Sequence, residues 1–180
     1  MLELRDLTIA LPGFRLSAGL TLETGSRTAL LGPSGAGKST LLAAIAGFQP
    51  LVSGRIRVAG RDVTDLLPGK RGVAMVFQDQ NLFPHLTAAQ NVGLALDPGL
   101  RLSADDRAQV ADALARTGLE GLDERRPAQL SGGQQARVTL ARTLLQRQPV
   151  LLLDEPFSAL GPALRSEMLA VVDALASETR

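Results

Sequence analysis

Gly32-Pro33-Ser34-Gly35-Ala36-Gly37-Lys38-Ser39 lies between the apolar run Thr28-Ala29-Leu30-Leu31 and the helix-forming run Thr40-Leu41-Leu42-Ala43-Ala44-Ile45-Ala46. The octapeptide fits G-x-x-x-x-G-K-[ST], and its flanks predict the strand, loop and helix that this motif needs. Glycines let successive backbone N–H groups turn inward, and the helix N-terminus behind them adds partial positive charge. Such a loop holds phosphate. Nucleotide contacts are therefore expected from Gly32, Pro33, Ser34, Gly35, Ala36, Gly37, Lys38, Ser39 and Thr40, with Lys38 reaching the β and γ phosphates and Ser39 holding Mg²⁺. Lysine is otherwise nearly absent, the second being Lys70 among 19 basic residues.

Outside the loop, composition narrows the partners. The 180 residues are 45% hydrophobic, enough for one core and a small appended lobe. A net charge of +1, with the arginines scattered among 18 acids, gives no electrostatic case for nucleic acid. Five phenylalanines with no Trp or Tyr offer no base-stacking platform. Cysteine is absent, which removes disulfides and thiolate metal sites and suits a reducing cytosol. Met1-Leu2-Glu3-Leu4-Arg5-Asp6 is too charged for a signal peptide, and no apolar run reaches eighteen residues, so the chain is expected not to cross a membrane.

Alternation of apolar and polar residues over Leu2–Leu11, Leu16–Leu22 and Arg55–Val58 predicts half-exposed strands in an antiparallel layer, with a turn at Gly25. Unbroken apolar runs at Val73–Phe77 and Val150–Leu153 predict strands buried on both faces in a parallel core sheet. Between Gln78 and Pro127 the pattern is helical. Thr87 can cap a helix to about Leu96, and Ser103 with Asp106 forms a capping-box pattern opening a helix that Gly118 closes, with Val110, Ala113, Leu114 and Thr117 on one face. A helix over Gln134 to Gln146 follows, ended by Pro149.

Val150-Leu151-Leu152-Leu153-Asp154-Glu155-Pro156 ends a hydrophobic strand in two acids. Asp154 is expected at the carboxyl edge of the sheet, binding Mg²⁺ through water, and Glu155 is placed to act as general base on the attacking water. Gln78, after the strand that ends at Phe77, can sense both the metal and that water. At Leu130-Ser131-Gly132-Gly133-Gln134, Ser131 caps a helix whose glycines let N–H groups face an anion. This is a second phosphate-facing helix terminus on a chain that already has one.

That pentapeptide is the defining signature of the ABC ATPases, and the chain resembles this family along essentially its whole length. Phosphate loop, Gln78, signature and Asp154-Glu155 occur in the family's order and spacing. The resemblance implies an α/β P-loop NTPase fold with a parallel core sheet, an antiparallel N-terminal β layer and an inserted helical subdomain. Its core is expected at 1–78 and 136–180, with the helical and signature subdomain at 79–135. It implies ATP and Mg²⁺ as cofactors, with catalytic roles for Glu155, Gln78 and Lys38 and metal ligands from Ser39, Gln78 and Asp154. It also implies a head-to-tail homodimer in which Leu130, Ser131, Gly132, Gly133 and Gln134 close over the γ-phosphate held by the other subunit. Asn81-Leu82-Phe83-Pro84-His85-Leu86-Thr87 resembles the importer type, in which the region from Gln78 to Thr87 meets two membrane permease subunits and a periplasmic substrate-binding protein acts indirectly. The segments Asn91–Leu100 and Phe157–Arg165 are similar to the ATP-binding subunits of bacterial thiamine importers. These sit at the cytoplasmic face of the inner membrane.

The chain also departs from the family pattern. The family's switch histidine stands about thirty residues after the catalytic glutamate, on a further strand, and the sequence stops at Arg180 before it. A C-terminally truncated cassette is therefore expected, lacking an inner sheet strand after the last helix, with Leu30 and Leu152 about 10 Å apart, two strand spacings. The last helix, with Pro162 in its first turn and Leu164, Met168, Val171, Val172 and Leu175 along one side, should expose part of that side. His85, the only histidine, is read as partner-facing or structural. Gly161 occupies the place of an aspartate that communicates between paired sites. Phe14 and Leu11 are the candidates for adenine contact. Alternatives are a nucleotide-binding fragment with little or no turnover, an importer ATPase for an inorganic anion, polyamine or sugar, and a non-transport ABC ATPase.

Overall fold

A computed structural model describes residues 1–77, 81–158 and 160–178. Met1–Met75 and Gln148–Asp154 form one compact unit, and Val76–Arg147 with the residues from Glu155 onward form another. The division expected at residue 136 falls inside a continuous helix, Gly132–Leu145.

The first unit opens on a hairpin of β1 (Leu2–Leu11) and β2 (Phe14–Leu22), turned at Gly13. With β3 (Ser53–Val58) and β4 (Arg61–Asp62) it makes the expected antiparallel sheet, in the order β2-β1-β3-β4. Along β1 the buried residues change phase, from Leu2 and Leu4 to Leu7 and Ile9. A bulge causes this: the register shifts between Leu4 and Leu7, where Asp6 takes a φ of 47°. The sheet therefore keeps its apolar side chains on one face although the sequence breaks step.

That face receives α1 (Lys38–Ala46), which buries Leu41, Ala44, Ile45 and Ala46 against Leu2, Leu4, Leu7, Ile9, Ile56 and Val58. Nine residues are too few for an isolated helix, so packing holds it, at about 1.5–3 kcal/mol per large buried side chain. Its C-terminus is held by Arg71, whose buried guanidinium donates to Ala44 O (2.9 Å), Ile45 O (3.3 Å), Thr64 O (2.6 Å) and Leu66 O (2.7 Å). Burial lowers the Arg71 pKa from its ordinary value. The cation meets the carbonyl end of the helix dipole, which favours it there.

β5 (Val73–Val76) and β6 (Val150–Leu153) pair as a two-stranded sheet. Their side chains are only part-buried at alternate positions of β5, and on β6 only Leu152 is buried, so neither is covered on both faces as the unbroken apolar runs suggested. A strand was also expected at Thr28–Leu31, and this is corrected: the segment leads into the phosphate loop without entering a ladder. A strand exists through cross-strand hydrogen bonds, and here Leu30 and Leu31 are 43% and 87% exposed with no described strand beside them.

The second unit is helical: α2 (Ala88–Gly93), α3 (Ala104–Arg116), α4 (Gly132–Leu145) and α5 (Pro162–Glu178). No strand falls between residues 81 and 127. Capping boxes at Thr87–Gln90, Ser103–Asp106 and Ser131–Gln134 start α2, α3 and α4. Gly118, at φ 68°, follows the end of α3. Val110, Ala113, Leu114 and Thr117 are all buried as one face, packed with Val92, Leu119, Val138 and Ala141. On α5, Met168 is fully buried beside Phe157 and Ala136, Val171 and Val172 are part-buried, and Leu169 is half-exposed. Among the described residues no helix is long and apolar enough to cross a membrane.

Candidate functional site

The phosphate loop is shaped by two left-handed glycines, Gly35 at φ 77° and Gly37 at φ 89°. Gly37 is the N-cap of α1 and offers no side chain for capping, so the first N–H groups of the helix stay turned toward the loop. It also has no room for one: a Cβ there would lie 2.5 Å from Phe14 Cζ and 3.0 Å from Leu16 Cδ1. Phe14 thus packs on the loop's backbone, and its ladder partner at the hairpin end is Leu11. Both candidates for adenine contact sit at that end of the sheet.

Lys38 folds back over the loop and donates from Nζ to Gly32 O (3.0 Å) and Pro33 O (2.9 Å). An ammonium has three N–H donors, so one remains for a ligand. The loop's own carbonyls therefore fix the position of the charge.

Ser39 Oγ lies 2.9 Å from Asp154 Oδ1, bringing together residues 115 apart in sequence. An ionised carboxylate can only accept, so the serine hydroxyl is the donor and its lone pairs face outward. A hydroxyl oxygen and a carboxylate side by side, both polarised negative, make a donor set that fits a hard cation such as Mg²⁺. Among the described residues no cluster of three or more His, Cys, Asp or Glu could hold a metal alone.

Glu155 follows at the end of β6, exposed and at φ 45°. A left-handed glutamate is uncommon and costs on the order of 1 kcal/mol, the kind of backbone that concentrates at functional sites. Gln78, the third expected catalytic and metal-binding residue, lies outside the described residues.

In the second unit the signature is a capped helix start. Ser131 Oγ accepts from Gln134 N (3.2 Å), and Gln134 Oε1 accepts from Ser131 N (2.9 Å). Ser131 keeps its hydroxyl proton for an outside acceptor. Gly132 is exposed. Gly133 meets a second demand besides the one expected: it is buried, and a Cβ on it would collide with Leu164 of α5. Its lack of a side chain lets α5 close on the first turn of α4.

The segment before α2 is held by a residue the sequence did not single out. Asn91 is fully buried; its Oδ1 accepts from Phe83 N (2.8 Å), and its Nδ2 faces Phe83 O (3.1 Å), Thr87 O (3.0 Å) and Leu86 O (3.2 Å). The detectable signal is an amide among apolar neighbours, Ala88 and Val92, on the buried side of a helix. The bracket leaves Phe83 half-exposed, with the His85 ring set edge-on to it at 6.0 Å.

Residues 17–158 match the ABC transporter family. The thiamine import ATP-binding protein ThiQ of Cereibacter sphaeroides is 58% identical over 179 residues, covering 99% of this chain and 78% of that protein. ThiQ of Escherichia coli K12 is 52% identical over 172 residues, covering 96% and 74% respectively. Among solved structures, the ATP-binding cassette MJ0796, a dimer in a post-hydrolysis state bound to ADP and Pi, superposes with a TM-score of 0.85 at 31% identity over 99% of this chain and 84% of that one. Since the match spans most of the sequence and includes both the loop that holds Lys38 and the helix start at Ser131, the chain belongs to the ABC transporter family.

Proposed function

We propose that this protein is the ATP-binding and ATP-hydrolysing subunit of a thiamine importer, working as a homodimer on the cytoplasmic face of the bacterial inner membrane. The observation that carries the chemistry is the Ser39–Asp154 hydrogen bond, which sets the hydroxyl after Lys38 against the carboxylate ending β6. The thiamine assignment rests on identities of 51–58% to thiamine import ATP-binding proteins over nearly the full chain.

In this reading the loop amides and Lys38 hold the β and γ phosphates. Ser39 and Asp154, with Gln78, would hold Mg²⁺, which when bound would offset the negative charge of the phosphates. Glu155 takes the proton of the attacking water. Phe14 and Leu11 contact the adenine. Leu130, Ser131, Gly132, Gly133 and Gln134 complete the site of the second subunit, and the span from Gln78 to Thr87, with Phe83 and His85 at its surface, docks the permease subunits. Binding closes the dimer, and hydrolysis reopens it.

Labelled thiamine uptake tests this in cells lacking their own import ATPase but retaining permease and binding protein. Expression of the chain is expected to restore uptake, while Lys38→Ala and Glu155→Gln are not. Uptake of a different solute class in place of thiamine would overturn the substrate assignment. One observation favours a second reading, nucleotide binding without turnover: Thr28–Leu31, which leads into the loop, has no strand partner among the described residues. Phosphate release by the purified chain decides between the two.

A further inference from the structure

The Leu130–Ser131 peptide is gripped on both edges by consecutive glutamines from the first turn of α4. Its N–H donates to Gln134 Oε1 (2.9 Å), and its carbonyl, Leu130 O, accepts from Gln135 Nε2 (3.1 Å). The same Gln135 amide donates to Pro127 O (3.0 Å), which also accepts from Leu130 N (3.0 Å). Leu130 itself is anchored in the helical core. The orientation of this one peptide plane sets Leu130 at ψ 142° and Ser131 at φ −65°, and with them the direction of the Ser131 side chain. Gln134 belongs to the signature; Gln135 does not, and its side chain is part-buried beneath the turn.

We infer that Gln135 is a positioning residue for the shared nucleotide site: its amide holds the Leu130 carbonyl so that Ser131 Oγ and the N–H groups beside it present in a fixed geometry to the nucleotide of the second subunit. It touches no substrate. The inference rests on the proposed pairing of the signature with the opposite phosphate loop. The chemistry required is donation: both partners are carbonyl oxygens, so an isosteric side chain without N–H turns two attractions into repulsions.

The test uses the full chain in a Glu155→Gln background, which slows hydrolysis, and reads two quantities. One is the affinity of the monomer for a fluorescent ATP analogue, which reports the phosphate loop of the same chain. The other is the ATP-dependent monomer–dimer equilibrium by sedimentation. Gln135→Glu is expected to weaken ATP-driven dimerisation about tenfold or more while leaving monomer affinity within about twofold, and Gln135→Lys, which restores a donor, to recover most of the loss. Ser131→Ala is the reference for the shared site itself. If Ser131→Ala weakens dimerisation but Gln135→Glu does not, the positioning role is wrong. An equal loss of monomer nucleotide affinity in Gln135→Glu makes the residue merely structural and also overturns it. If neither change affects dimerisation, or the parent forms no ATP-dependent dimer, the shared-site reading fails and this inference falls with it.

Discussion

Replacing Asn91 should separate the stability of the helical unit from the chemistry of the phosphate loop. Its amide oxygen accepts from Phe83 N and its Nδ2 serves the carbonyls of Phe83, Leu86 and Thr87, at zero exposure. Two N–H groups shared over three carbonyls, with one accepted bond, amount to about three net hydrogen bonds at roughly 0.5–1.5 kcal/mol each. Asn91→Ala is therefore expected to cost about 2–4 kcal/mol, which for a chain of this size lowers Tm by roughly 5–15 °C. Asn91→Asp should cost more at neutral pH, because a carboxylate would face three carbonyl oxygens with nothing to donate.

The aspartate variant supplies its own check through pH. Packed against carbonyls and buried, the new carboxyl must have a folded pKa above its unfolded value of about 3.9. A group raised on folding contributes its stability below the unfolded pKa and loses it as pH rises through the folded one. The deficit of Asn91→Asp relative to the parent, measured by urea unfolding at each pH, should be smallest below about pH 4 and widen toward pH 7. A deficit that stays constant across that range, or a neutral-pH Tm within about 1 °C of the parent, would refute the bracket. Nucleotide affinity of the folded variant should be unchanged, since Asn91 and the loop belong to different compact units.

Arg71→Met should destabilise by about 2–4 kcal/mol in denaturant unfolding, since it removes the guanidinium that serves the carbonyls of Ala44, Ile45, Thr64 and Leu66 and leaves Ala44 O only its bond from Gly47 N; a loss under about 1 kcal/mol contradicts the capping role. Asp62, Asp97 and Asp106 are held below the usual carboxylate range, chiefly by the Thr64 side chain, the Gly99 N–H and the Ser103 side chain respectively. Groups depressed on folding stabilise above their unfolded pKa, so the urea midpoint should fall as pH drops below about 4, and Asp106→Asn should flatten that slope. Gly161 precedes α5, with no atom of the described residues within 4 Å of where a Cβ would stand and its carbonyl accepting from Arg165 N (3.0 Å). Gly161→Asp should thus be accepted as an N-cap with a gain of a few tenths of a kcal/mol, and raise the Hill coefficient for ATP if an aspartate there links paired sites; an unfolded variant contradicts the first and an unchanged coefficient the second.

What the sequence made legible was whatever local chemistry decides. Loop glycines, the serine and threonine caps and the period of α3 depend on neighbours three or four residues away, and each appears where the pattern put it. Motif order assigned Ser39 and Asp154 to one metal without a direct contact between them, and the structure sets the two side chains 2.9 Å apart. Thr28–Leu31 was misjudged for the opposite reason: an apolar run states a preference for a ladder but not that a ladder partner exists. Asn91, Arg71 and Gln135 were missed because each acts on backbone carbonyls, and carbonyls carry no sequence signature. Gly133 was credited to anion binding, whereas its size is also demanded by Leu164, a contact thirty-one residues away in the chain.

Internal hydrogen bonds of this kind explain how a reactive surface can be kept in shape. Lys38 spends two donors on Gly32 O and Pro33 O, Ser39 gives its proton to Asp154, and Ser131 accepts from Gln134 N. Each key side chain is thus tied internally by one part of its hydrogen-bonding capacity, and the part left over has the polarity its proposed ligand needs: an N–H for phosphate, lone pairs for a cation, an O–H for phosphate oxygen. Orientation fixed before binding is worth more than contact area, because the ordering cost is met during folding and not when nucleotide arrives. On that basis, substitutions that keep a functional side chain but remove its tether, such as Gln135→Glu, should resemble mild versions of losing the side chain itself, with the defect confined to the step in which that side chain meets its ligand.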